Sequence, residues 1–208
     1  MTEELVEETV TVGGVELSLL RPADAAALID EEEFEVEEFL PYWAELWPAG
    51  AALAGELPAD LRGRRVLELG CGLGLPSLVA AARGAHVLAT DWATDALELL
   101  RLNARRNGLL LDVAHARWDE PDRFGSGWEL VLAADVLYEH RNVPQLLALL
   151  QRLDAETLLA EPGRPPSQAF FRAAAAVWQI DEVAERVYRL RRGGAPRNPV
   201  GSDPAQKA

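Results

Sequence analysis

From Pro58 onward, short apolar runs alternate with segments of helical length, and no other feature of this 208-residue chain narrows its fold as much. Residues 65–69, 86–90, 111–114, 130–133 and 157–160 read as strands. The run 130–133 is wholly apolar, as a strand covered on both faces requires. Between them, 76–82 reads as a helix with Pro76 in its first turn and Gly84 as its C-cap. Thr94 reads as the cap of a helix running to Asn107, with Gly108 behind it. Asn142 and Pro144 open a leucine-rich helix to Leu153, and Ser167 caps a helix through Trp178. Strands joined by such helices return in the same direction, so the expected architecture is a mostly parallel sheet with helices on both faces.

The ends of the chain differ from this middle. Val10 and Val12, then Gly13-Gly14, then Val15, Leu17 and Leu19 alternate as a β-hairpin whose two glycines can both take positive φ. Residues 23–30 read as a short helix and 31–38 as an acidic loop or surface helix. Residues 179–191 alternate like a terminal hairpin, although no turn residues separate its arms. The last stretch, 193–208, is rich in Gly, Pro and polar residues and reads as a mobile tail. The expectation is a single domain over 1–192, with a hairpin and helical extension at 1–57 and the doubly wound core at 58–192.

Charge and cysteine content exclude several functions. Formal net charge is −14, from 34 acids against 20 bases. The first forty residues hold thirteen of those acids and one base, Arg21, which accounts for −12. A chain so acidic is not built for broad contact with phosphates, so no nucleic-acid partner is expected. Cys71 is the sole cysteine and cannot form an internal disulfide, which points to a reducing, cytoplasmic setting. No apolar run reaches membrane-spanning length, and the first residues are acidic where a signal peptide is basic and then apolar; no membrane association is expected.

In a sheet of this kind, ligands bind beyond the carboxyl ends of the central strands. The turn Gly70-Cys71-Gly72-Leu73-Gly74 sits at such an end, where glycines permit close backbone approach and unusual dihedral angles. Asp91 ends the next strand, where an acid can accept hydrogen bonds from both hydroxyls of a ribose. The dinucleotide fingerprint fails, because its third glycine would fall at Leu75. Glu68, two residues before Gly70, would repel a pyrophosphate and favours a ligand with a cationic end. S-adenosyl-L-methionine carries both an ammonium and a sulfonium and fits. Cys71 reads as a small residue beside the ligand rather than a nucleophile, since no histidine lies near it in sequence to activate it.

The stretch LELGCGLGL at 67–75 closely resembles the first motif of class I S-adenosylmethionine methyltransferases. Further elements stand in the same order: YWAELWP at 42–48, Asp91-Trp92, Trp118-Asp119, and Asp135-Val136-Leu137-Tyr138. Together they are similar to the seven-β-strand lysine methyltransferases (methyltransferase family 16), whose distinguishing motif is D-x-x-Y. Glu161-Pro162-Gly163-Arg164-Pro165 resembles the branch containing the electron transfer flavoprotein β-subunit lysine methyltransferase.

The resemblance implies a Rossmann-like α/β fold. Its sheet is seven-stranded and mostly parallel, with an antiparallel C-terminal hairpin, and an N-terminal β-hairpin is added to it. It also implies that Trp47 and Trp118 lie around the cofactor. Trp92 directly follows the ribose-binding acid and is placed to lie against adenine. Asp119 is either an acceptor for the adenine amino group or a loop acid. Ala134 and Asp135 follow the strand that neighbours the first, in the slot facing the methyl group, and Tyr138 lies one helical turn on.

The implied acceptor is a protein lysine, with electron transfer flavoprotein β-subunit or a ribosomal protein as candidate targets; no metal is expected. Lysine has an unperturbed pKa of about 10.4 and attacks only as the neutral amine. Asp135 would orient that nitrogen and Tyr138 would wall the pocket. The alternatives are a small-molecule N-methyltransferase on the same scaffold and a non-catalytic cofactor-binding module.

Overall fold

The computed structural model describes residues 4–28 and 41–193. The acidic stretch at 31–38 and nearly all of the C-terminal tail lie outside the described residues. An antiparallel hairpin, β1 (Leu5–Val12) and β2 (Val15–Pro22), precedes helix α1 (Pro48–Gly55). The alternating core follows: β3 (Arg65–Leu69), α2 (Leu75–Ala82), β4 (His86–Asp91), α3 (Thr94–Arg106), β5 (Asp112–His115), β6 (Leu130–Ala134), α4 (Asn142–Leu153), β7 (Glu156–Ala160) and α5 (Ser167–Ala174). Strands β8 (Trp178–Ala184) and β9 (Val187–Arg192) end it. The seven-stranded sheet runs β5-β4-β3-β6-β7-β9-β8, parallel through its first five members and antiparallel at β9 and β8.

Both faces of the central strands are buried, and successive residues serve opposite layers. Leu67 and Leu69 of β3 join Val131, Ala133 and Leu159 against α4 and α5. Val66 joins Leu130, Leu132 and Leu158 against α1, α2 and α3. Strand order turns back beside β3, because the chain leaves it first toward β4 and later returns on the other side at β6. That switch point opens the crevice at the carboxyl ends of β3, β4 and β6. No helix among the described residues is long and apolar enough to cross a membrane.

Two local expectations need correction, and the expected C-terminal hairpin gains its turn. Thr94 is the first helical residue of α3 and not its cap; the carboxylate of Asp91 accepts from the Ala93 N–H ahead of it instead. The helix opening at Ser167 stops at Ala174, and Trp178 begins a strand, because its ring is buried in the layer under α4 and α5. The C-terminal hairpin turns at Glu185-Arg186, where Arg186 takes φ 58°, so a residue with no turn preference makes the turn.

The N-terminal hairpin is pinned to the core by side-chain amides. Asn103, on the last turn of α3, and Asn107, its C-cap, lie one turn apart. Asn103 accepts from the Leu20 N–H at 2.8 Å and donates to its carbonyl at 3.0 Å. Asn107 does the same for Ser18, at 2.9 and 2.8 Å. The free edge of β2 therefore pairs with a helix face as though with another strand, leaving fewer open backbone groups to recruit a foreign chain. Arg83 ties the hairpin turn down by donating to the Gly13 carbonyl at 2.7 Å.

Candidate active site

Two clusters of side chains face each other across the crevice. The first is the turn between β3 and α2, whose Gly70, Gly72 and Gly74 take φ of 64°, 50° and 71°. That region favours glycine, and the space around each position explains the rest. A Cβ on Gly74 would meet Leu100 at 2.4 Å, and one on Gly72 would press on the Trp43 backbone at 3.3 Å. A Cβ on Gly70 would meet Val136 at 3.2 Å and stand 3.9 Å from Trp118. All three glycines therefore admit the protein's own atoms, and Gly70 lets Val136 and Trp118 pack close to the turn.

Asp91 closes this side. One carboxylate oxygen accepts from the Gly72 N–H at 2.8 Å and the other from the Ala93 N–H at 3.0 Å. Burial pushes its carboxyl above the ordinary range, against the pull of those backbone donors. A carboxylate offers about four acceptor positions, so Asp91 can take a further donor from a ligand. This remaining acceptor capacity of Asp91 beside the glycine turn fits the ribose end of a nucleoside.

Glu68 does something other than the charge argument required. It is 1% exposed, and it accepts at 2.9 Å from the N–H of Ser77 and also from the Ser77 hydroxyl. Ser77 lies in the first turn of α2, whose cap position is Gly74 and so has no side chain to offer. Glu68 thus caps that helix from the neighbouring strand. Burial pushes it up to about 8, so near neutrality it is mostly uncharged and exerts little pull on a cationic ligand. The Cys71 thiol is buried beside these two acids and is pushed well up, which makes it inert as a nucleophile.

The second cluster starts at the end of β6. Ala134 is its last residue, and Asp135 follows at φ 53°, a left-handed conformation that few non-glycine residues hold. Asp135 donates its N–H to the Ala160 carbonyl at 2.9 Å, which fixes the backbone to the end of β7. Its side chain is paired with Arg164: Nε donates to Oδ1 and Nη2 to Oδ2, both at 2.8 Å. The Arg164 guanidinium lies 5.6 Å from the centroid of the Trp47 ring. Trp47 stands 6.1 Å from Tyr42, and Tyr42 stands 5.4 Å from Tyr138, centroid to centroid. The indole N–H of Trp92 donates to the Tyr138 hydroxyl oxygen, and desolvation pushes the Tyr138 phenol up to about 12.

Asp135, Tyr138, Trp47 and Trp92 are therefore brought together, and Trp92 joins the aromatic wall to the Asp91 side. Trp118 lies beside Gly70. Asp119 is exposed and pairs at 3.4 Å with Arg117. Glu139, His140 and Arg141, which follow Tyr138, are at the surface, with Glu139 and Arg141 paired. Among the described residues no group of His, Cys, Asp and Glu is arranged to hold a metal ion.

Sequence reasoning assigned no role to Arg164, Glu161 or Tyr42. All three stand inside motif strings that were visible. Nothing in those strings tells that Arg164 reaches Asp135 across 29 positions. Only the adjacency of β6 and β7 brings them together.

A family model described as lysine methyltransferase matches residues 43–172. The chain is similar to protein N-lysine methyltransferase METTL21A of Danio rerio, 37% identical over 122 residues, covering 54% of this chain and 56% of that protein. It is also similar to the electron transfer flavoprotein β-subunit lysine methyltransferase of Danio rerio, 35% identical over 135 residues, covering 60% of this chain and 51% of that protein. The chain spans about half the length of the curated relatives it matches. Among solved structures, the 16S rRNA N2 G1207 methyltransferase of T. thermophilus, in complex with AdoMet and guanosine, superposes with a TM-score of 0.66 at 18% identity, covering 91% of this chain and 51% of that one. The ribosomal protein L11 methylase of Lactobacillus delbrueckii gives 0.51 at 23%, over 68% and 74%. At those identities the likeness is one of fold.

Proposed function

The chain belongs to the lysine methyltransferase family, and from that premise we propose that it transfers a methyl group from S-adenosyl-L-methionine to the side-chain amine of a protein lysine. One observation carries the reading. The glycine turn with Asp91 and the Asp135–Tyr138 pair face one crevice from neighbouring strand ends, joined by the Trp92–Tyr138 hydrogen bond.

S-adenosylmethionine, when bound, supplies a methyl carbon already activated by the sulfonium. The glycine turn and Trp118 would hold the nucleoside, Asp91 would accept from its ribose, and the exposed ring of Trp92, next to Asp91, would take the base. On the other side, Tyr42, Trp47 and Tyr138 wall a slot that strips water from an incoming amine and so disfavours its charged form. Asp135, with both oxygens held by Arg164, keeps a spare acceptor lone pair with which it would orient the nitrogen. Alignment of two reactants in this way can contribute on the order of 7–11 kcal/mol.

The curated relatives named above support a protein acceptor, and a lysine of an electron transfer flavoprotein β-subunit or of a ribosomal protein is our candidate. The lone, buried Cys71 supports action in the cytoplasm. The protein should be incubated with radiolabelled S-adenosylmethionine, cell lysate and the two candidate acceptors. A labelled protein that hydrolyses to methyl-lysine is the expected result. Label confined to small molecules would make the chain a small-molecule N-methyltransferase, and no label at all would remove the catalytic reading.

A further inference from the structure

Arg164 makes the two contacts that a lysine ammonium would seek in this pocket. Its guanidinium holds both oxygens of Asp135 at 2.8 Å and lies over the Trp47 ring at 5.6 Å. A carboxylate and an aromatic face are together the usual recognition set for an organic cation. The pair is not needed to join the two strands, since Ala134 already stands in register with Ala160 and the Asp135 N–H is bonded to the Ala160 carbonyl. It is nevertheless held firmly. Glu161, 2% exposed, accepts from the N–H groups of Gly163 and Arg164, both at 2.8 Å. Ser167 donates its N–H and its hydroxyl to the Arg164 carbonyl, at 3.0 and 2.7 Å. A buried acid therefore shapes the loop that aims a guanidinium at Asp135.

Resting on the reading of Asp135 and Tyr138 as the acceptor side, we propose that Arg164 is a specificity residue that fills the cation position of the pocket and so admits the acceptor amine only as the neutral base. A positive charge fixed there repels an ammonium. An Asp135 with both oxygens engaged does not anchor one. The neutral amine suffers neither penalty and needs only one further acceptor lone pair to be oriented.

The other charged and titratable groups around the pair leave this balance to Arg164 and Asp135. Glu161 and Arg186 stand on the β7 and β9 side, with Tyr188 beyond them. Tyr42 faces Arg164 from the segment before α1. Tyr138, Glu139 and Arg141 follow β6, with Asp91 across from Tyr138. Glu161 is matched by backbone donors and Glu139 by Arg141.

The probe is n-butylammonium, a lysine side chain without its backbone, titrated into the full-length protein by calorimetry at pH 7, where it is almost wholly protonated. The wild-type protein should show no saturable binding at millimolar probe. Arg164→Ala should bind it at least tenfold more tightly, and Asp135→Asn in that background should remove the gain. Arg164→Lys keeps the charge and should exclude the probe as the wild type does. Thermal unfolding checks that each variant is folded, and Arg164→Gln serves the same comparison should the alanine variant not fold. Equal behaviour of the wild type and the uncharged variant, bound or unbound alike, overturns the proposal, as does a gain that survives loss of Asp135. Because the probe needs no methyl transfer, this result stands apart from the labelling experiment, and the two readings fail separately.

Discussion

The acids on the two sides of the crevice are held in opposite ways. Glu68 and Asp91, at the ends of β3 and β4, are buried and bonded by backbone N–H groups of the turn and helix beside them. Asp135, at the end of β6, is bonded through its side chain to another side chain, Arg164, which is about a third exposed. Backbone donors cannot be removed without unfolding the turn, whereas a side-chain donor is removed by one substitution. The Gly70–Asp91 side is therefore set by the main chain, and the Asp135–Tyr138 side by a single arginine. The aromatic groups divide the same way. Trp118 is packed beside the glycine turn, while Tyr42, Trp92 and Tyr138 are three of the four large exposed apolar side chains of the described residues.

The strongest way to break this contrast is to strike one side and read the other. Asp135→Asn keeps a residue that tolerates left-handed backbone but removes the charge. Methyl transfer should fall by about a hundredfold or more, the scale of a displaced reactant, while cofactor affinity by calorimetry stays within about twofold. A collapse of cofactor affinity would move Asp135 to the other side.

Asp91→Ala should do the reverse. Loss of charge-assisted hydrogen bonds worth about 1.5–3 kcal/mol predicts cofactor binding weaker by roughly ten- to a hundredfold. Unchanged affinity would show that the ribose lies elsewhere.

A third change sharpens the claim that Glu68 is structural. Its folded pKa of about 8 lies above the ordinary value of 4.5, so the native state keeps a proton that the unfolded chain has lost. Between those two values stability falls as pH rises, by up to about 1.4 kcal/mol per pH unit. Glu68→Gln keeps an acceptor for Ser77 and should flatten that slope in denaturant titrations. Part of the slope should remain at the acidic end, because burial raises Asp91 in the same direction. A slope unaltered by the substitution would return Glu68 to the ligand side.

The smallest effect belongs outside the crevice. Asn103→Ala removes two bonds to Leu20 and should cost about 1–2 kcal/mol. Hydrogen exchange should quicken at the β1–β2 amides while β3 and β6 stay protected. Equal quickening throughout would mean that the hairpin is part of the cooperative core.

Much of the fold was legible because its signals are local. The strand at 65–69 has the bounds of β3, the helix opening at Asn142 ends at Leu153 as read, and the Gly13-Gly14 turn closes β1 on β2 with Val12 opposite Val15. Errors fell where tertiary packing overrode local preference. Trp178 left its helix for the buried layer, and Arg186 took a turn conformation that its sequence does not advertise. At the site, the positions of the glycines, Asp91 and Asp135 were legible because each stands at the end of a readable strand. The task of Glu68 was not, since capping α2 depends on a serine nine positions away and on the side chain that Gly74 lacks.

By itself, the sequence determined that strands and helices alternate, that a glycine turn follows β3, and that acids stand at the ends of β3, β4 and β6. These follow from periodicity and residue type, which act within a few positions along the chain. Only the tertiary structure decided which acid caps a helix, which is bonded by the glycine turn, and which is held by an arginine 29 residues away. Protonation and pairing depend on what surrounds a group in space, and that neighbourhood exists only after β6 and β7 lie side by side.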